Sequence, residues 1–178
     1  MDSYAVFLRG INVGGINIKM ADLKAALVGY PFEKVKTLLA SGNVVLQADL
    51  PPQDVKAQFE KCLRDSFGYD AWVVVLSAPR VAGLVEACPY PADDKSTHSY
   101  VTLSSDAGML DELFKAGQDL GTVEQIRLGP EALAWLAPAG GTLDSPFSKL
   151  TAKTRYKAST TTRNLRTLIK VRDAAAAL

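Results

Sequence analysis

Three residues, Ser41-Gly42-Asn43, separate two strand-like runs at 35–40 and 44–48. Gly and Asn accept a positive φ at little cost, so this spacing predicts a tight β-hairpin. The hairpin constrains what surrounds it. Met20, Leu23, Leu27 and Tyr30 recur at helical spacing and predict a helix over 19–29. Residues 4–8 form an apolar run ending at Arg9-Gly10, a strand followed by a loop. Pro51-Pro52 opens the next helix, where a missing N–H does no harm. Its stripe is Val55, Phe59, Cys62, Leu63 and Phe67, and the valine-rich run at 72–76 reads as a buried fourth strand. The order is β-α-β-β-α-β, the split βαβ or ferredoxin-like plan.

A connecting helix follows, capped by Ser77, with Pro79 in its first turn and a stripe of Val81, Leu84, Val85 and Cys88. The pattern then repeats without evident sequence identity. A strand at 99–103 precedes a helix at 109–116 capped by Asp106. Strands at 124–128 and 133–137 meet at Gly129-Pro130-Glu131. A short helix at 146–150 and a closing helix at 163–176 complete the pattern. The expected fold is α+β, two ferredoxin-like (split β-α-β) halves packed as one compact protein. Residues 1–77 form the first half; residues 78–178 form the second, with the basic closing helix. The polar, threonine-rich stretch 143–159 reads either as a flap or as an exposed connection.

Apolar residues make up 48% of the 178 and charged residues 22%, enough for a sizeable core. No apolar run approaches the ~20 residues of a membrane helix. The start, Met1-Asp2-Ser3-Tyr4, lacks the basic-then-apolar plan of a signal peptide, so a cytoplasmic location without membrane attachment is expected. Cys62 and Cys88 fall at apolar helix positions, as reduced core thiols do. With His98 as the single histidine, no ordinary metal site is expected, and which cofactor, if any, the chain uses is left open. The net charge of +1 is unevenly spread. Eight basic and no acidic residues lie between Lys149 and Arg172, leaving 12 basic against 19 acidic residues elsewhere, or −7. Such a block is either a solvated face paired with an acidic body or a surface for anions.

Polar groups cluster in three motifs. Residues 9–15, Arg-Gly-Ile-Asn-Val-Gly-Gly, combine a guanidinium fork with three glycines. Such glycines let backbone N–H groups line an anion nest. The spacing matches neither G-x-G-x-x-G nor a P-loop. In a split βαβ sheet, strands 1 and 2 run the same way. The 9–15 loop and the 41–43 hairpin therefore lie at one end of the sheet. The third motif, Thr160-Thr161-Thr162-Arg163-Asn164, reads as the capped start of the closing helix, where free N–H groups attract anions. If the chain has one site, Arg9, Asn43 and Arg163 are expected to face one another.

With these motifs the sequence resembles the bacterial family catalogued as domain of unknown function 1697. The matching stretches are YAVFLRGINVGG at 4–15, residues 19–27, SGNVV at 41–45 and TTRN at 161–164. The resemblance implies a two-part α+β fold with ferredoxin-like halves. It also implies that Arg9, Asn12, Gly14, Ser41, Asn43, Thr161, Arg163 and Asn164 occupy the family's signature positions. It implies no activity. Where the family often has an aromatic after TTRN, this chain has Leu165.

The motifs hold Arg, Asn, Ser, Thr and Gly, which bind and orient rather than transfer protons at neutral pH. His98 is the only imidazole and no G-x-S-x-G occurs, so a histidine-based triad is excluded. Whether the site is enzymatic is left open. Strand 3 reads Val44-Val45-Leu46-Gln47 with no ring, which disfavours an RNA-recognition sheet. Three readings remain. The first is a small-molecule binder or enzyme whose ligand carries a phosphate or carboxylate. The second is a nucleic-acid module using the basic segment, which is possible but not favoured. In the third the motifs are purely structural.

Overall fold

The computed structural model describes residues 1–9, 17–39, 41–68, 70–121, 123–139, 145–157 and 159–178. Asn12 and Gly14, with the rest of 10–16, lie outside the described residues, as do parts of 143–159. The chain divides into two compact units, residues 1–82 with 170–178, and residues 83–169.

In the first unit, β1 (Asp2–Leu8), α1 (Met20–Leu27), β2 (Glu33–Leu38), β3 (Asn43–Ala48), α2 (Pro52–Phe67) and β4 (Val73–Ser77) follow the expected order. The sheet order is β2-β3-β1-β4, with every neighbouring pair antiparallel. This is the ferredoxin-like arrangement. Tyr4, Val6 and Leu8 of β1 and Val44, Leu46 and Ala48 of β3 point to one face. There they pack with Leu23, Leu27, Val55, Phe59, Cys62 and Leu63 of the two helices. The period-2 and period-3.6 stripes meet in that cluster. α2 stops at Gly68, whose φ of 66° is the left-handed turn that ends a helix without a Cβ penalty. Trp72 lies outside the strand and is 46% exposed, unlike the buried residue the valine-rich run suggested. The described register with β1 ends at Val73, one residue short of Trp72.

α3 (Ala78–Ala87) leads out of the first unit, with Ser77 Oγ accepting from Arg80 N at 3.4 Å. The second unit holds β5 (Thr97–Ser104), α4 (Ala107–Asp119), β6 (Gln125–Gly129), β7 (Ala132–Pro138), α5 (Pro146–Thr151), α6 (Thr154–Lys157) and β8 (Thr160–Asn164). Its sheet order is β6-β7-β5-β8, the same topology again. Asp106 caps α4 as expected, accepting from Met109 N at 3.1 Å. α7 (Leu165–Ala176) closes the chain.

One expectation is corrected here. Residues 160–164 are not the start of the closing helix but an edge strand paired with β5. Threonine suits a helix cap and a strand equally. The pairing decides: Thr162 lies opposite Thr102, and their hydroxyls meet at 2.8 Å. Asn164 performs the capping instead, its Oδ1 accepting from Arg166 N at 2.8 Å. The strand supplies the fourth member that the second ferredoxin-like sheet needs. Within 143–159, the short helix expected at 146–150 is observed as Pro146–Thr151, and a further helical turn follows at Thr154–Lys157.

Both faces of each sheet are closed. In the first unit Ala5, Phe7, Asn43 and Val45, on the face away from α1 and α2, are 0% exposed. In the second, Val101, Leu103, Ala132 and Ala134 are likewise 0% exposed. A nucleic-acid platform of the RNA-recognition type needs an open central face, and neither sheet has one.

Candidate functional site

At one end of the first sheet, β1 finishes between the hairpin and the start of β4. Leu8 N donates to Gly42 O at 2.9 Å, and Arg9 N donates to Trp72 O at 3.3 Å. Arg9 is thus fixed by backbone bonds at its own position and at the one before it. It is half-buried. The topology argument holds: the chain leaves β1 beside the 41–43 hairpin.

The hairpin is held by its own side chains. Asn43 is fully buried, and its Nδ2 donates to Leu38 O and Ser41 Oγ, each at 3.0 Å. Gly42 takes a φ of 84°, which a side chain would strain. Leu39 takes a φ of 60° without being Gly or Asn, and stays exposed. A left-handed leucine costs on the order of 1 kcal/mol.

On the other side of Arg9, α2 contributes a charged clamp absent from the sequence reading. Lys56 Nζ pairs with Glu60 and donates to Val73 O at 2.9 Å. Glu60 Oε1 accepts from Val73 N at 3.3 Å. Lys56 Nζ stands 5.5 Å from the centre of the Trp72 ring, a cation–π distance. Lys56 and Glu60 carry a signal only in retrospect, as an i,i+4 pair in the middle of an amphipathic helix.

The second unit places Thr161, Arg163 and Asn164 on β8. Thr161 and Arg163 share one face of the strand, and both are buried. Arg163 Nη1 donates to Thr161 Oγ1 at 2.6 Å and to Thr162 O at 3.0 Å. Burial pushes the guanidinium pKa down to about 10, because a low-dielectric site disfavours the charged form. The basic block is not one solvated stripe. Arg163 points inward, Arg155 makes a two-bond fork to Glu112 at 2.8 Å on each arm, and Arg172 Nε pairs with Asp173 at 2.9 Å.

Two clefts lie at the opposite end of the first sheet. One of about 600 Å³ is lined by Asp2, Ser3, Tyr4, Ser77 and Pro79, with Ala175 and Ala176. A second of about 330 Å³ is lined by Tyr30, Phe32, Glu33, Asp49 and Leu50. Their linings include the carboxylates Asp2, Glu33 and Asp49. Both cysteines are free thiols, Cys62 buried and Cys88 half-buried, and burial raises both pKa values. Among the described residues, no three His, Cys, Asp or Glu residues stand close enough to hold a metal ion. No described helix is long and apolar enough to cross a membrane.

Two four-stranded antiparallel sheets of ferredoxin-like order, with the polar motifs at a strand end and on an edge strand, define a duplicated α+β architecture. A solved structure of the same architecture is the conserved bacterial protein SP0830 from Streptococcus pneumoniae. It matches with a TM-score of 0.79 and 19% identity over 98% of each chain. No curated protein matches the chain. The family model described as protein of unknown function (DUF1697) matches residues 1–133, and the chain belongs to that family. The family carries no assigned molecular function.

Proposed function

We propose that this protein binds a small molecule through an anionic group, a phosphate or a carboxylate, at the Arg9 end of its first sheet. The observation that carries the reading is the setting of Arg9. It is a half-buried arginine anchored through its backbone at the end of β1, where the glycine-rich 10–15 segment begins. A guanidinium offers a planar fork that matches an oxyanion. Ser41 adds a hydroxyl in the hairpin at the same end of the sheet, and Asn43 shapes that hairpin. Asn12 and Gly14 belong to the same proposed site by their place in the loop. Thr161, Arg163 and Asn164 form a second candidate anion contact in the other unit. The free thiols fit a reducing, cytoplasmic setting.

The test is a thermal-shift screen of the whole chain against phosphate- and carboxylate-bearing metabolites, since a ligand that binds only the native state raises Tm. At least one anion is expected to raise Tm in the parent protein and to lose that effect in Arg9→Ala. Arg163→Ala, run alongside, reports whether β8 takes part. A ligand whose shift survives Arg9→Ala, or no shift from any anion, overturns the reading.

A further inference from the structure

We infer that Lys56 and Glu60 guard the outer edge of the first sheet, and that the partner they hold off is the β4 strand of a second copy of this chain. β4 is the last strand of its sheet, with β1 as its one strand neighbour among the described residues. Val73 lies opposite Leu8, and Leu8 N donates away from β4, to Gly42 O. Leu8 and Val73 are therefore a pair without mutual hydrogen bonds, and the N–H and C=O of Val73 both face outward. The next position agrees with this alternation, since Arg9 N donates to Trp72 O.

The helix, not a strand, meets those outward groups. Glu60 Oε1 accepts from Val73 N at 3.3 Å, and Lys56 Nζ donates to Val73 O at 2.9 Å. An acceptor and a donor on α2 thus do for Val73 what the backbone of a neighbouring strand would do. The two side chains also pair with each other, and the Trp72 ring lies 5.5 Å from Lys56 Nζ. The strand they flank needs a guard. Residues 71–77, Ala-Trp-Val-Val-Val-Leu-Ser, hold no charge and no proline and are rich in β-branched and aromatic residues. That composition pairs edge to edge. A second copy presents the same strand, and two such edges can join antiparallel about a twofold axis. Outward backbone groups recur at every second residue, at Val73, Val75 and Ser77. Ser77 runs directly into α3 at Ala78. With Val73 occupied, Val75 is left as a lone rung; with the guard removed, two successive rungs open.

The experiment compares the full chain with Lys56→Ala/Glu60→Ala and with the exchanged pair Lys56→Glu/Glu60→Lys. The exchange keeps an ion pair on α2 and puts the acidic residue first, the better order on a helix. It also sets a carboxylate against Val73 O and an ammonium against Val73 N, so neither backbone group is met. Amide exchange at Val73, followed by NMR, should run about tenfold faster in both variants, the worth of about one hydrogen bond. Light scattering on a sizing column should show the mass of both rising about twofold at concentrations where the parent's mass stays constant. Circular dichroism and a cooperative urea transition restrict the comparison to folded protein. Val75→Pro, which removes an outward N–H without touching the ladder to β1, should return the double-alanine variant to the parent's mass. If the exchanged pair keeps the parent's mass and exchange rate, the charges on α2 matter and their bonds to Val73 do not, which overturns the inference. A folded double-alanine variant with the parent's mass overturns it as well. An increase in mass that survives Val75→Pro overturns the pairing through β4.

Discussion

The two units share one topology and place their polar groups in opposite ways. In the first, the fourth strand is Val73–Ser77, apolar along its ladder, and the polar groups collect beyond the strand ends at Arg9, Ser41 and Trp72. In the second, the fourth strand is Thr160–Asn164, and the polar groups lie inside the ladder. Thr102 bonds both Thr162 and the indole of Trp135, while Arg163 bonds its own strand. Groups beyond a ladder can meet a ligand with the fold intact. Groups inside one are already committed to holding it. Arg9 and Arg163 look alike as motif arginines, but only Arg9 stands where strand pairing has ended.

The contrast is broken or sharpened by four measurements. The largest effect belongs to Trp135, which stacks on Tyr100 and packs against Phe147, each at 4.8 Å between ring centres. Trp135→Ala should lower the unfolding free energy in urea by about 3–5 kcal/mol. A loss below ~1 kcal/mol would show that the aromatic stack does not hold the second unit. Next is Asn43→Ala, which removes two bonds from a fully buried site and leaves Leu38 O without that donor. About 2 kcal/mol of stability should go, against well under 1 for Ser41→Ala.

Arg163→Met tests the inside-the-ladder placement directly. Keeping this guanidinium charged in its buried site costs on the order of 3 kcal/mol. A buried charge replaced by an apolar side chain of similar length is often neutral or stabilising, so Arg163→Met should cost less than ~1 kcal/mol. Arg163→Ala, which also loses packing, should cost about 2 kcal/mol. The folded state releases the Arg163 proton at about 10, well below the unfolded chain. Above pH 10 the unfolded state therefore holds more protons, and the parent gains stability relative to Arg163→Met as pH rises. A gap that moves the other way would refute the buried-charge account. The smallest effect is at the hairpin: Leu39→Asn, better suited to a φ of 60°, should raise stability by up to ~1 kcal/mol in thermal melts.

The first unit was readable because each element had its own signal. Val55, Phe59, Cys62 and Leu63 keep a helical period, and Ser41-Gly42-Asn43 has few uses other than a turn. β8 was not readable, because its deciding partner Thr102 lies 60 positions from Thr162. Threonine alone does not choose between cap and strand. The position of Arg9 and Asn43 at one end of the sheet was legible, but their contacts were not. Asn43 and Arg9 were identified, yet that Asn43 spends its amide on the hairpin depends on distances no sequence spacing reports. Trp72 was misjudged for a related reason. A tryptophan before three valines looks like part of the strand, and only the described register, which ends at Val73, shows otherwise.

The division of the chain carries a consequence for its birth. The boundary between units falls within α7, so 165–169 count with the second unit and 170–178 with the first. Ala175 and Ala176 line the same cleft as Tyr4, Ser77 and Pro79, and Lys34 reaches the carbonyl of Leu178. A ribosome delivers residues 83–169 before it delivers 170–178. The unit whose translation starts first is therefore the one whose assembly ends last. Until residues 170–178 emerge, the nascent first unit lacks a segment that lines its cleft.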